Sequence, residues 1–151
     1  MSFSWYTLAF AQLTPVQLYA VMRLRQQVFV VEQQCVYLDL DNRDHTAWHM
    51  LCMQESQLVA YQRCLAPGHS YAESSLGRVV VCATMRGRQL GLELVQRGIE
   101  HNFSQWPGHD ICISAQAHLQ GFYGARGFVA EGSEYLEDYI PHRKMRLRAP
   151  D

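Results

Sequence analysis

Residues 86–91, Arg-Gly-Arg-Gln-Leu-Gly, separate an apolar stretch from a segment whose apolar residues recur at helical spacing. The first backbone N–H groups of a helix lack partners within the helix, and the helix dipole favours negative charge there. Gly87 and Gly91 would let a phosphate approach the backbone, while Arg86 and Arg88 would supply countercharge. By itself the hexapeptide is better explained as a strand–turn–helix connection whose glycines ease the bend.

A second segment, residues 116–128, favours the phosphate-binding interpretation. Together the two segments resemble the GNAT acetyltransferase superfamily. Its pyrophosphate loop follows the pattern Arg/Gln-x-x-Gly-x-Gly/Ala, and its later segment follows Asn-x-x-Ala-x-x-Phe-Tyr-x-x-x-Gly-Phe. The matching residues are Arg86, Gly91, Phe122, Tyr123, Gly127 and Phe128, with Gln116 at the Asn position.

Further segments look like the ElaA branch of that superfamily. They are residues 25–33, Asp41, Asp44, His49, residues 115–120 and residues 140–142. One departure is Gln89, which occupies the place of the first glycine in the pyrophosphate loop. A glutamine there can point outward if its φ angle is negative, and we expect the affinity for CoA to be modest.

The resemblance implies that acetyl-CoA is the cosubstrate and that no metal takes part. It implies that the backbone of a buried valine strand pairs with the pantetheine amides, with the Val81 N–H directed at the thioester carbonyl. Such a donor suits the chemistry, because a developing oxyanion gains most from a preorganised N–H. The cofactor contacts implied are Val79, Val80, Val81, Arg86, Gly87, Arg88, Gln89, Leu90, Gly91, Gln116, Phe122 and Tyr123.

Tyr123 is the side chain that we expect to serve the leaving group. CoA departs as a thiolate, and a phenol beside the sulfur can hydrogen-bond to it or protonate it. The alternative is an ordinary helix tyrosine with a surface hydroxyl. The neighbouring Phe122, Gly127 and Phe128 favour the functional interpretation.

The attacking amine arrives as an ammonium and needs a base. The candidates are Glu32, His49, Glu137, Asp138 and His142. Glu32 follows an apolar run, where a carboxylate can have a raised pKa, although a solvated helix end is an equal alternative. His49 lies on a predicted strand, and His142 lies in a loop that borders the acceptor in the superfamily. A lone histidine is more often structural than catalytic, so no candidate is preferred.

Three aspartates, Asp39, Asp41 and Asp44, suggest a metal loop at first sight. They lack the glycine and terminal glutamate of a calcium-binding loop. A plain turn or an acidic rim on the acceptor side explains them better. Such a rim would favour a cationic amine as the acceptor.

The composition indicates one packed domain, residues 1–151. The net charge of −1 gives no reason to expect nucleic acid or a membrane as a partner. The five cysteines form no Cys-x-x-Cys pair, which favours buried thiols in a reducing compartment. With no secretory leader or membrane-spanning run in the sequence, we expect a cytoplasmic protein. The sequence is compatible with a monomer and with a homodimer.

The pattern of elements predicts a mixed α/β fold. Strands are expected at 3–10, 48–53, 58–64, 78–82 and 111–113, with two more after Phe128 joined by a loop at 138–141. Helices are expected from Thr14, which can form a capping box with Gln17, from Leu90 and over 119–126. The implied GNAT fold is a central twisted mixed sheet, splayed near Val81, with helices on both faces.

These observations predict an N-acetyltransferase in which a primary amine of a small molecule or peptide attacks acetyl-CoA directly. No cysteine has a recognisable base partner in the sequence, which argues against a covalent intermediate. Two alternatives stay open: a CoA-binding regulatory module with weak catalysis, favoured by Gln89, and an acyl-CoA-dependent signal synthase. The second is suggested by Arg25-x-x-Val28-Phe29.

Overall fold

The computed structural model describes residues 2–151. Its strands are β1 Phe3–Ala9, β2 Trp48–Gln54, β3 Gln57–Leu65, β4 Ser75–Val81, β5 Ile111–Gln116, β6 Val129–Glu137 and β7 Ile140–Leu147. Its α-helices are α1 Pro15–Arg25, α2 Leu90–Gln105 and α3 Gln120–Gly124. A π-helical stretch, Gln26–Glu32, continues α1.

The start of α1 follows the predicted capping box. The Gln17 N–H donates to Thr14 Oγ1 at 3.1 Å, and the Thr14 N–H donates to Gln17 Oε1 at 2.9 Å. Pro15 occupies the first turn, where its missing N–H costs no hydrogen bond. Local sequence therefore fixes where the first helix begins.

The first sheet has the order β1-β2-β3-β4 and is antiparallel throughout. On one face, Val21 and Leu24 of α1 pack against Tyr61 and Val80. On the other face, Leu90 and Leu94 of α2 pack against the alternate side chains of the same strands. The alternation of strand side chains thus places a helix on each face, which confirms the predicted arrangement.

The second sheet has the order β5-β7-β6 and is also antiparallel. It meets the first sheet at one parallel bridge between Ser74 and Ile111, where the Cys112 N–H donates to Ser74 O at 2.9 Å. Beyond that bridge β4 and β5 form no further pairs. The two strands therefore diverge towards Val81 and Gln116, which produces the splay that the sequence predicts.

A bulge interrupts β4. Tyr61 pairs with Val80 and Arg63 pairs with Gly77, so two residues of β4 oppose one of β3. The extra residue, Arg78, has a φ angle of 52°, a left-handed conformation that side chains disfavour. A bulge bends its strand, so this one turns the end of β4 away from the first half of the strand. The strand begins at Ser75, three residues earlier than predicted.

The hairpin between β6 and β7 is tighter than expected. Asp138 and Tyr139 form a two-residue turn, both with positive φ angles of 50° and 66°. Two consecutive positive φ angles are typical of the turns that match strand twist. The turn places Glu137 and Ile140 opposite each other at the end of the sheet.

Candidate active site

A cleft of about 630 Å³ lies between the diverging strands β4 and β5. Residues of both sheets, of the segment 33–43 and of the β6–β7 turn line it. The lining residues that bear on chemistry are Asp41, Arg43, Arg63, Gly77, Arg78, Val79, Ser114, Gln116, Tyr123, Glu137, Asp138 and His142. Its volume is within the range of small-molecule sites.

The exposed edge of β4 presents unpaired backbone groups to this gap. The Cys82 N–H donates to Val59 O of β3 at 2.9 Å. Because amide directions alternate along a strand, the N–H group of the preceding residue, Val81, points the other way, into the gap. Val79 also lines the cleft, whereas Val80 turns its side chain into the core. The Val81 N–H therefore faces the gap between β4 and β5.

The N-terminus of α2 follows directly after this edge. Its N-cap, Gln89, has a φ angle of 60° and forms no side-chain cap hydrogen bond. The negative φ angle that would let Gln89 point outward is not found: the backbone adopts the left-handed conformation for which glycine is preferred. A Cβ on Gly91 would lie 3.6 Å from Phe122 and 3.7 Å from Val81, so the helix start packs closely on β4 and α3.

The arginines of the loop differ in their partners. Arg86 forms a bidentate ion pair with Glu32, at 2.7 and 3.1 Å, and donates from Nε to Val81 O at 3.2 Å. Arg88 is exposed and has no side-chain partner within residues 2–151. Gly87 has a φ angle of 78°, which only glycine adopts easily. Arg88 is therefore the guanidinium free to meet an anion at the helix start.

Glu32 does not line the cleft. Its side chain is exposed by 44% and is held by Arg86, with the two oxygens on one guanidinium. The prediction of a buried carboxylate suited to act as a base is therefore wrong for Glu32. Its position instead ties the end of the π-helical stretch to the loop before α2.

His49 is also away from the cleft. It is fully buried, with Nδ1 2.6 Å from Tyr61 Oη and Nε2 2.9 Å from Asp44 O. Burial lowers the pKa of His49. Because both ring nitrogens have partners in the protein, the prediction of a catalytic role for His49 is wrong, and its role is structural.

Tyr123 lines the cleft from α3. It packs edge-on against Phe122 and Phe128, with ring centroids 5.0 and 5.9 Å away. Burial raises the pKa of Tyr123 to about 12, so the phenol is protonated at neutral pH. Gln116 lines the same cleft at the end of β5 and donates to Gln33 Oε1 at 3.4 Å.

His142 of β7 lies on the cleft wall beside Glu137. Its Nδ1 is 2.7 Å from Ile140 O, and its Nε2 is 3.5 Å from Glu137 Oε2. A carbonyl oxygen only accepts, so Nδ1 carries a proton and Nε2 of the neutral ring holds the lone pair. Ser114 donates to Glu137 Oε1 at 3.3 Å and contacts the hydroxyl of Tyr135, whose ring stacks on His142.

The opposite wall rests on an arginine–aspartate network that the sequence did not reveal. Its members are Arg25, Arg63, Arg78, Asp39, Asp41 and Asp44. Arg25 is fully buried and binds Asp39 at 2.9 Å and Asp44 at 2.6 Å. With three positive and three negative side chains, the network is neutral. In the sequence, Arg25 stands out as a polar residue on the apolar stripe of α1, and this position was the available sign that it is buried.

The aspartates therefore do not form an acidic rim. Burial opposes the ionisation of Asp41, but the hydrogen bond and charge of Arg63 hold the pKa of Asp41 well below its usual range. Arg25 likewise lowers the pKa of Asp44 against the effect of burial. Both carboxylates are committed to arginines, so the expectation that they attract a cationic acceptor is wrong.

None of the cysteines in residues 2–151 contacts a histidine. Cys35 Sγ donates to Asp138 O at 2.9 Å, and Cys82 Sγ lies 3.5 Å from Thr84 Oγ1. Burial raises the pKa of Cys52 and of Cys112 to about 11. Across the same residues, no cluster of His, Cys, Asp and Glu is arranged to hold a metal ion, and no helix is long and apolar enough to cross a membrane.

Residues 14–149 match the family described as the acetyltransferase (GNAT) domain. Protein ElaA of Escherichia coli is 40% identical over 143 residues, covering 93% of this chain and 94% of ElaA. The crystal structure of an acyl-CoA N-acyltransferase from Pseudomonas aeruginosa is 41% identical, with a TM-score of 0.92 and coverage of 97% and 99% of the two chains. The AHL synthase LasI, at 13% identity, has a TM-score of 0.80 with coverage of 97% and 90%, a likeness of fold alone. The chain belongs to the GNAT acetyltransferase family.

Proposed function

We propose that this protein transfers the acetyl group of acetyl-CoA to a primary amine of a small molecule or peptide, without a covalent enzyme intermediate. The observation that supports this most is the divergence of β4 from β5 directly beside an uncapped helix N-terminus. It combines free strand-edge N–H groups with an anion site in one continuous surface.

Residues on this surface fit CoA in two parts. The N–H groups at the start of α2, flanked by Gly87, Arg88 and Gln89, would receive the pyrophosphate. The open edge of Val79–Val81 would pair with the pantetheine amides, with Gln116 and Phe122 across the gap. Acetyl-CoA supplies an acyl group activated as a thioester.

His142 is the base that the geometry supports best. Its Nε2 lone pair is on the cleft wall, and Glu137 is close enough to stabilise the charge that the ring gains with a proton. The Nδ1–H bond to Ile140 O fixes the tautomer that leaves Nε2 free to accept. A neutral amine then attacks the carbonyl, whose oxygen receives a hydrogen bond from the Val81 N–H.

Tyr123 provides the proton for the departing sulfur, and the second proton that the nitrogen loses as the amide forms restores the phenol. A phenol with a pKa near 12 is protonated at neutral pH and can donate to a thiolate. The absence of a cysteine–histidine pair within residues 2–151 supports direct attack over an acylated enzyme.

Two other functions are separated by the same assay. A signal synthase would prefer a longer acyl-CoA, and a regulatory module would bind CoA without turnover. Release of free thiol is therefore measured with acetyl-, butyryl- and hexanoyl-CoA, each with and without a panel of amines. We expect amine-dependent release with acetyl-CoA, and faster release with hexanoyl-CoA would favour the synthase.

The residue assignments are tested by two variants. Tyr123→Phe should lower kcat by about 10- to 1000-fold with little change in CoA affinity. Arg88→Glu should weaken CoA binding in calorimetry about tenfold or more, because it places a negative charge beside the pyrophosphate. Arg23→Glu, on an exposed face of α1, is the matched control. If calorimetry detects no CoA binding at concentrations up to millimolar, the proposed function is contradicted.

A further inference from the structure

The floor of the cleft contains a buried donor without a partner. Arg63 is 3% exposed, and its Nε–H forms no hydrogen bond within residues 2–151. Its two terminal nitrogens are occupied by Asp41 and Asp44. A buried polar group without a partner is costly, so an unpaired donor on a cleft wall indicates where a ligand oxygen belongs.

Gly77 leaves room for that oxygen. It pairs with Arg63 across the sheet and lines the cleft. The position of a Cβ on Gly77 is 3.9 Å from Arg63 Nε, with no other heavy atom within 4 Å. A side chain here would occupy open space beside the unpaired donor.

A second arginine lies next to the first. Arg43 lines the cleft and donates from Nη1 to the neutral hydroxyl of Ser70 at 2.7 Å. Asp41 Oδ1 accepts from the Arg43 backbone N–H at 3.1 Å and from Arg63 Nη1 at 2.8 Å, which places the two residues next to each other. Unlike the guanidinium groups of the network, that of Arg43 forms no ion pair within residues 2–151.

The facing wall carries the opposite charge. Glu137 lines the cleft, is 47% exposed, and has no lysine or arginine partner among residues 2–151. Its one basic neighbour is His142, at 3.5 Å. The cleft thus presents an uncompensated guanidinium and an unpaired N–H on one side and an uncompensated carboxylate on the other.

Building on the acetyltransferase function above, we propose that the acceptor carries a carboxylate as well as its amine, as an amino acid does. The carboxylate binds to Arg43 and to Arg63 Nε over Gly77. The ammonium is directed to Glu137 and gives its proton to His142 before attack. A charged hydrogen-bond acceptor satisfies a buried donor better than a neutral one does, so an amine without the carboxylate leaves Arg63 Nε unpaired.

The experiment compares matched pairs of acceptors. The twenty standard amino acids and their carboxamides are tested one by one with acetyl-CoA, and thiol release is measured. For the best pair, we expect kcat/KM to be about 10- to 100-fold higher for the free acid, the range expected when a charged hydrogen-bond partner is lost. Amides that react as fast as the acids would overturn the carboxylate subsite while leaving the acetyltransferase in place.

Two variants test the residues. Arg43→Gln should raise KM for the best amino acid about tenfold or more and reduce its advantage over the amide, with KM for acetyl-CoA unchanged. Gly77→Ala should have the same effect without unfolding, because the new methyl meets only Arg63 Nε, at an ordinary contact distance of 3.9 Å. Arg23→Gln, on the exposed face of α1, controls for loss of a charge. Persistence of the acid–amide difference in both variants would overturn the assignment.

Calorimetry separates this proposal from the function on which it rests. Amino acids and amides are titrated into the protein saturated with CoA. Tighter binding of the acids, without thiol release from acetyl-CoA, would contradict the acetyltransferase and support the subsite. Equal binding of acids and amides, together with amine-dependent release of thiol, would support the acetyltransferase and contradict the carboxylate subsite.

Discussion

The wall of the cleft built on β3 and β4 and the wall built on β5, β6 and β7 use polar side chains differently. The first rests on the arginine–aspartate network, in which Arg25 is fully buried and each aspartate contacts an arginine. The second carries Glu137 and His142 with few fixed partners, and Glu137 is half-exposed. The first wall is held by charges that neutralise each other. The second retains groups that can exchange a proton with a substrate.

The difference has a physical basis in burial. A buried ion pair is expensive to break, because either partner left alone keeps its charge in a poor solvent. Such groups fix geometry and are poorly suited to gain or lose protons during turnover. On the second wall, Glu137 is 47% exposed, and among residues 2–151 it is the one carboxylate beside His142. On the proposed function, the first wall positions the site and the second supplies the groups that move protons.

Breaking the network should have the largest effect. Arg25→Met removes one of the two arginine partners of Asp39 and of Asp44 and leaves the buried network with excess negative charge, so the free energy of unfolding should fall by about 3–5 kcal/mol. Urea denaturation measures this. Arg23→Met, on the exposed side of the same helix, should change it by less than about 0.5 kcal/mol. Equal losses in the two variants would show that the buried arginine has no special role.

Changing the second wall should affect catalysis and spare stability. His142→Gln should lower kcat/KM by about 100- to 1000-fold, because the proton of the amine loses its acceptor. The acid limb of the pH–rate profile should change with it. His109→Gln, in the exposed turn after α2, serves as the control and should leave both unchanged. A His142 variant with an unaltered profile would assign the base elsewhere.

The network should also determine stability in acid. The folded pKa values of Asp41 and Asp44 lie below their unfolded values, so their contribution is complete above the unfolded pKa of about 3.8. It is lost as pH falls further, through the folded pKa values. Unfolding free energies at pH 7, 5 and 3 should therefore drop mainly at the last step. Asp41→Asn should reduce that drop. If the unfolding free energy depends on pH in the same way in the variant and the wild type, ionisation of Asp41 does not contribute to stability.

The smallest effect concerns the loop that joins the first wall to the proposed CoA site. Gln89→Gly should stabilise the fold by about 0.5–1 kcal/mol, because glycine adopts the left-handed conformation of Gln89 without steric cost. CoA affinity should be retained or improved. Gln96→Gly, in the regular interior of α2, should instead destabilise by about 1 kcal/mol. Destabilisation by both substitutions would show that the Gln89 side chain has a role of its own.

Several features of this protein follow from the sequence alone. Thr14, Pro15 and Gln17 define the start of α1 through bonds between neighbouring residues, and the helical spacing after Gln89 defines α2. The spacing of residues 86–91 and 116–128 indicates the family, which the relatives confirm. These are local properties, since each depends on residues within a few turns of one another.

Other features depend on contacts between distant segments. Arg25 meets aspartates 14 and 19 residues away, and Arg78 takes a left-handed conformation at a bulge that strand pairing creates. Contacts between distant segments also hold His49 away from the cleft, where its Nε2 lies beside Asp44 O. Glu32 binds Arg86, which is 54 residues away in the sequence. His142 stays on the cleft wall because the two-residue hairpin turn places it beside Glu137. Residue type identified which groups could act as acids or bases, but burial and partners, which only the tertiary structure decides, determined which of them remain free.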